Sequence, residues 1–396
     1  MGQTCPVLSS NPSKGAAPIQ CLEGFAAGYS TSKGGCGGKP ERRNRKMMSV
    51  RCGTGERLSV VMRAVGDECV ASTRYRVLAH RDALEEAGFA TDVQLQTAPR
   101  SKLGRIPARL AELVVDTWGS LPADILFIHR RTYPPFFARR QRRPDVPLVF
   151  DFDDALYLPP PSASQDERTK ARFRRNFLST VAAADLVLCG NRELESHVPN
   201  GRTAILPTSV DCELFHPDSV RPATEPVVGW VGNADNLPFL EALADPLREV
   251  ARRHPNFRLV VVSDRPPKID GVPVEFRPWK IEDEVRCFEG IRVGLMPLDD
   301  TPWTRAKCAF KALQYMALGI PPVVSPVGMN SEIVVDGDNG FVSTHPEEWV
   351  GSIDALLSDN AMAHRLAGAA RKKVESEFSL TVTSRRLVAM LEELRA

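Results

Sequence analysis

From Leu58 onward the chain alternates short apolar runs with stretches whose apolar residues recur at helical spacing. That pattern predicts layered α/β structure around a mainly parallel sheet. Runs at 58–62, 93–95, 125–128, 148–150, 186–188 and 204–206 read as a first series of strands. Ser72 or Thr73 is placed to cap a helix that ends at Gly88. Residues 207–226 hold four prolines and read as a linker. A second series follows at 227–231, 259–262, 293–296 and 322–324, with a helix from about 238 to 253 after its first strand. Helical spacing then governs 347–357, 361–375 and 381–394.

Residues 1–55 break the pattern. Gly, Ser, Lys and Cys dominate, and Arg42, Arg43, Arg45 and Lys46 form a basic run. With no periodic apolar face the segment cannot offset its ordering entropy, so disorder is expected. It lacks the long apolar stretch of a secretory signal, and Met47 or Met48 is an alternative start. Cys5, Cys21, Cys36 and Cys52 are scattered with no histidine among them, which argues against a metal site.

The bulk properties narrow the classes further. A chain of 396 residues can bury two cores of ordinary size, and 43% hydrophobic with 25% charged residues is globular. A net charge of +2 gives no global case for nucleic acid or a membrane. No apolar run reaches the ~18 residues of a membrane span. Nine cysteines without tight spacing predict reduced thiols and a cytoplasmic protein.

The chemistry concentrates in 302–325. Arg305, Lys307 and Lys311 flank a helix start near Ala309 and Phe310, where unpaired N–H groups and the helix dipole favour a phosphate or diphosphate. The plainer alternative is a solvated basic loop before a core helix. Next come Gln314-Tyr315-Met316-Ala317-Leu318-Gly319-Ile320-Pro321-Pro322-Val323-Val324, then Gly328, Met329, Asn330 and Glu332, then Asp336-Gly337-Asp338-Asn339-Gly340. In order and spacing this half resembles the donor-binding half of GT-B glycosyltransferases of the large retaining family four, glycosyl transferases group 1. The resemblance extends from about Leu58 to the C-terminus, with its specific motifs in the second half. It implies an α/β fold of two Rossmann-like domains facing across a cleft. Behind a disordered extension (1–55) it places an acceptor domain (56–210), a nucleotide-sugar donor domain (211–378) and a terminal helix (379–396) packing back on the first domain.

This chain departs from the family pattern in two places. Relatives carry an Arg and a Lys soon after the glycine that ends the first strand of the donor domain, whereas Gly232 is followed by Asn233, Ala234 and Asp235. Arg305, Lys307 and Lys311 are the substitutes, and they are assigned the catalytic charge work. The paired acids Glu-x7-Glu fall on Ala306 and Gln314; the Gln314 amide retains a donor and an acceptor for a ribose hydroxyl. Gly232, Asn233, Ala309, Phe310, Gln314, Gly328, Met329, Asn330 and Glu332 form the expected donor site. Trp303 is placed either to stack on a base or sugar or to pack.

In the first half, Phe150-Asp151-Phe152-Asp153-Asp154 follows a strand. It reads as a metal-binding Asp-x-Asp, as the nucleophile of a haloacid-dehalogenase-type phosphatase, or as a turn facing the cleft; the last is preferred because Gly-Thr does not follow. Arg74, Arg76, His129, Asp151 and Asp153 form the expected acceptor side. Phe136, Phe137, Arg139, Arg140, Arg142 and Arg143 admit contact with anionic lipid, but the preferred reading buries the phenylalanines and solvates the arginines.

The expectation is therefore a glycosyltransferase using a nucleotide sugar, with retention and without a metal or other cofactor. Its acceptor is a glycan, a lipid-linked sugar or a small molecule; it does not bind nucleic acid, and membrane contact is not favoured. The alternatives are a GT-B protein that binds a sugar nucleotide without transferring it, or an Asp-dependent phosphatase.

Overall fold

The computed structural model describes residues 57–96, 123–221 and 225–394. The expectations for 1–55, including disorder, the scattered cysteines and the alternative start, lie outside the described residues. The first sheet comprises β1 (Leu58–Val65), β2 (Phe89–Gln96), β3 (Ile125–His129), β4 (Leu148–Phe152), β5 (Leu186–Cys189) and β6 (Thr203–Ile205). Its order is β2-β1-β3-β4-β5-β6, and every pairing is parallel. The second comprises β7 (Val227–Val231), β8 (Arg258–Ser263), β9 (Val274–Pro278), β10 (Val293–Met296), β11 (Pro322–Val324) and β12 (Phe341–Val342). It is ordered β12-β11-β10-β7-β8-β9, again all parallel. Strand order reverses between β1 and β3 and between β7 and β10. In doubly wound sheets, ligands bind beyond the carboxyl ends of the strands at such points.

Local chemistry adjusts several of the expected elements. The helix expected from 72 to 88 is three short pieces, Ala71–Arg76, a 3₁₀ turn Leu78–His80, and Arg81–Glu86. Thr73 does not cap; its hydroxyl donates to the Val65 carbonyl at 2.6 Å. The helix expected from 238 to 253 breaks into Leu237–Glu241 and Ala244–Arg253. The helix Glu167–Ala183, unrecognised in the sequence, opens on Asp166, whose carboxylate accepts from the Thr169 N–H at 2.8 Å.

One apolar core runs through both domains, joining Ile128, Phe150 and Phe152 to Val231, Met296 and Tyr315. Gly294 makes room for Tyr315: a Cβ there would lie 2.4 Å from the Tyr315 ring. The Tyr315 hydroxyl accepts from the Val231 N–H at 3.0 Å, tying the helix Phe310–Ala317 to the end of β7. A separate core forms on the outer face of the first sheet, where Leu387 and Leu391 of the terminal helix Leu380–Glu393 pack on Val60, Met62 and Phe89. The chain thus crosses between domains twice, and the crossings are joined by Val210 N–H to Phe378 O (3.0 Å) and Leu380 N–H to Val210 O (2.8 Å). Among the described residues no helix is long and apolar enough to cross a membrane.

Candidate active site

The loop 301–309 carries the cations and is wedged between the two domains. Thr301 opens the turn Pro302–Arg305 through a reciprocal cap with Thr304. Ala309 then takes a left-handed conformation, φ 49°, which turns the chain into the helix Phe310–Ala317. A non-glycine residue rarely adopts this region, and it persists where its surroundings hold it. The first domain provides that hold. Asn191, beyond the end of β5, donates from Nδ2 to the carbonyls of Ala306 and Lys307, both at 3.1 Å. Its Oδ1 accepts from the Leu194 N–H at 2.8 Å, capping the helix Arg192–Ser196. The Cys308 thiol lies 3.4 Å from the Asp153 carbonyl. On the other flank is Gly328, φ +54°, where a Cβ would lie 2.3 Å from the Arg305 carbonyl oxygen. The turn after β11 can approach the loop this closely only as bare backbone.

The three cations differ in what they already hold. Arg305 is exposed and forms a two-pronged pair with Asp300, Nη2 to Oδ2 at 2.9 Å. Lys307 is half-buried. Lys311 donates to Gln314 Oε1 at 2.8 Å and stands 5.4 Å from the centre of the Phe310 ring. Burial lowers the Lys311 pKa; nearby Cys287 and Glu284 oppose that shift and Arg74 adds to it. Gln314 is buried, so its carbonyl serves Lys311. Ala306, in the position of the first family acid, is fully buried.

Around the Gly232 turn, a Cβ would lie 2.5 Å from the Trp230 ring. Asn233 is exposed and accepts from Asn236 Nδ2 at 2.6 Å. Sequence reasoning missed Asp264 and Arg265, which follow β8 and clasp this turn. Asp264 accepts from the Ala234 N–H at 2.6 Å, and Arg265 donates to the Ala234 carbonyl at 3.1 Å. A cation thus stands beside the turn, brought from the next strand; its signal was the polar Ser263-Asp264-Arg265 run closing an apolar strand. Met329 and Asn330 are buried, and Asn330 Nδ2 donates to the Ser325 carbonyl at 3.2 Å. Glu332 is exposed, 4.0 Å from Arg192 of the first domain.

The expected acceptor residues fall into two groups. Arg74 reaches the second domain, pairing with Glu284 at 2.6 Å and lying 5.6 Å from the centre of the Trp279 ring. Tyr75 bonds the same Glu284 carboxylate, and its ring packs on Phe310 with centroids 4.3 Å apart. Tyr75, Trp279 and Glu284 are members of this junction that the sequence did not single out.

Arg76, His129 and Asp151 instead form a closed network of fully buried side chains. Arg76 grips both Asp151 oxygens, with Nε to Oδ2 at 3.0 Å, and His129 Nδ1 donates to Oδ2 at 2.6 Å. Burial alone would raise the Asp151 carboxyl, but Arg76 and the His129 bond outweigh it and hold the pKa at about 2. A carboxylate enclosed in this way neither attacks a phosphate nor opens to a metal, which removes the geometric basis of the phosphatase alternative. Asp153 and Asp154 lie nearer the surface, 3.4 and 2.8 Å from Arg130.

Residues 225–359 match the family model described as "Glycosyl transferases group 1". The spore coat protein SA of Bacillus subtilis (strain 168) is 30% identical over 83 residues, which is 20% of this chain and 22% of that protein. Among solved structures, sucrose-phosphate synthase from Thermosynechococcus elongatus superimposes with a TM-score of 0.65 at 17% identity, covering 85% of this chain and 99% of that one. HepE from Anabaena, in complex with UDP and glucose, gives 0.59 at 16% identity over 85% and 100% of the two chains. The chain has the two-domain GT-B fold, and residues 225–359, within its second domain, match the glycosyl transferases group 1.

Proposed function

We propose that this protein transfers a sugar from a nucleoside diphosphate donor to a hydroxyl acceptor, with retention and on the cytoplasmic side. The observation that carries the reading is the cation loop, held from both flanks at the domain junction within the segment that matches the family. As the glycosidic bond to the diphosphate breaks, negative charge grows on the leaving phosphate and the sugar gains oxocarbenium character. Lys307 and Lys311 meet that charge, with Arg305 at the rim, and fixed cations in a partly desolvated site act strongly without reorganising. The turn at Gly328 and the Gly232 turn, with Arg265 beside it, flank the donor. On the acceptor side, the buried Arg76, Asp151 and His129 network supports the domain from within rather than touching substrate. HepE was solved with UDP and glucose, and UDP is the first nucleotide to try.

The test is a panel of nucleotide sugars, reading nucleoside diphosphate release and the mass of the glycosylated product. Transfer is expected for at least one donor, with the anomeric coupling of the product matching that of the donor. Since the charge work is assigned to side chains, transfer is expected to survive EDTA. Binding of a sugar nucleotide with no turnover on any acceptor would establish the second reading, a non-catalytic binder. That reading is favoured by the buried Ala306 and by the Gln314 carbonyl already engaged with Lys311.

A further inference from the structure

The segment 136–143 is not absorbed by sugar transfer, and the structure changes its reading. Phe137 packs partly against the core, but Phe136 is 55% exposed, with the Arg140 guanidinium 5.7 Å from its ring centre. The helix that carries them, Pro135–Gln141, packs against the helix Glu167–Ala183. The second helix buries Phe177, Thr180 and Val181; Arg168 and Arg175, seven positions apart, share its solvent side, and Arg174 at its edge is exposed as well. Arg139 and Arg140 of the first helix are exposed as well. Among the described residues no carboxylate pairs with Arg139, Arg168, Arg174 or Arg175. In a chain of 51 basic and 49 acidic residues this is a local concentration, not a reflection of overall charge.

We propose that this two-helix face docks on an anionic lipid bilayer. The arginines meet headgroup phosphates, and Phe136 enters the boundary between headgroups and acyl chains. Charge complementarity identifies the partner: basic side chains near an anionic leaflet each add to binding, and a single apolar wedge adds a component that salt does not screen. One exposed ring offers no succession of stacking platforms for single-stranded nucleic acid. The inference rests on the surface alone and does not depend on the sugar-transfer reading.

The experiment is flotation of the full chain with phosphatidylcholine vesicles, alone or mixed with phosphatidylglycerol. Binding is expected only to the mixed vesicles and is expected to weaken as salt rises. Arg139→Glu, Arg140→Glu, Arg174→Glu and Arg175→Glu together should lower the partition coefficient by about tenfold or more. Phe136→Ser, a single change at an exposed position, should weaken binding while leaving the slope with salt unchanged, and it keeps the test open if the fourfold variant fails to fold. Equal binding to both vesicle types, or undiminished binding by folded variants, would overturn the proposal. So would absence of vesicle binding alongside salt-dependent binding of single-stranded RNA that the fourfold variant loses.

Discussion

Asp151 and Lys307 separate the two jobs that charged residues do in this protein. Asp151 is fully buried between Arg76 and His129, and neutralising it leaves the Arg76 guanidinium without its counter-charge. Breaking such a pair costs about 3–5 kcal/mol. Asp151→Asn is therefore expected to lower the urea midpoint sharply, and an Asp151→Asn protein of unchanged stability with selectively reduced turnover would place this carboxylate at the substrate instead. Lys307 is half-buried, with its backbone fixed by Asn191. Lys307→Ala or Lys311→Ala should leave the fold near wild type yet lose one to two decades in kcat/KM for the donor, the worth of a charge-assisted contact of ~1.5–3 kcal/mol. Retention of full activity by both would remove the cations from the mechanism. The residue types at these sites were legible in the sequence; the difference in their roles was not. Arg76 and Asp151 are 75 positions apart, and the closure of one on the other depends on β1 and β4 lying in one sheet with the first helix across their ends.

At the level of elements, strands buried on both faces were the readable ones, because they appear as unbroken apolar runs. The second sheet's edges escaped notice: β9 reads Val-Glu-Phe-Arg-Pro with half-buried positions, and β12 has only two residues. The helix Glu167–Ala183 was hidden by its charge, since the apolar stripe is thin and its cap, Asp166, lies in a proline- and serine-rich stretch. Contacts between elements also carry a pH dependence. His80, at the start of the second short helix, is fully enclosed and its Nδ1 lies 2.8 Å from the Ser384 hydroxyl of the terminal helix. Burial first, then the Arg76 charge, lowers its pKa from 6.5 to about 4, against an opposing pull from Asp151. A lowered folded-state value means that the unfolded chain binds the extra proton first. The stability contributed by neutral His80 is thus present above pH 6.5 and is lost as pH falls towards 4, an effect on the order of 3 kcal/mol. Asp151 contributes nothing to this window, since its own lies between 3.8 and about 2. Urea titrations across pH 4–7 should show a steep slope in wild type that His80→Gln flattens, and equal slopes would mean that the ring is hydrated or already charged in the fold.

For the whole molecule, the decisive feature is that the chain leaves the second domain to finish on the first. The core shared across the domain junction and the core under the terminal helix contain different residues, so removing that helix injures one and spares the other. Deleting 380–396 strips Leu387 and Leu391 from Val60, Met62 and Phe89 and removes the hydroxyl facing His80. Each buried leucine contributes about 1.5–3 kcal/mol, enough to bring a domain of ordinary stability close to its threshold. Four of the five tryptophans, Trp230, Trp279, Trp303 and Trp349, lie in the second domain, so tryptophan fluorescence reports chiefly on that domain while far-ultraviolet circular dichroism reports on both. Wild type should unfold with the two signals nearly coincident, because the shared core and the pairs Arg74–Glu284 and Asn191–Lys307 couple the domains. The truncated chain should lose part of its dichroism at lower urea than its fluorescence, and added UDP should shift only the later, fluorescent transition. Coincident transitions in the truncated chain would mean that the junction, rather than the terminal helix, governs the stability of the first domain.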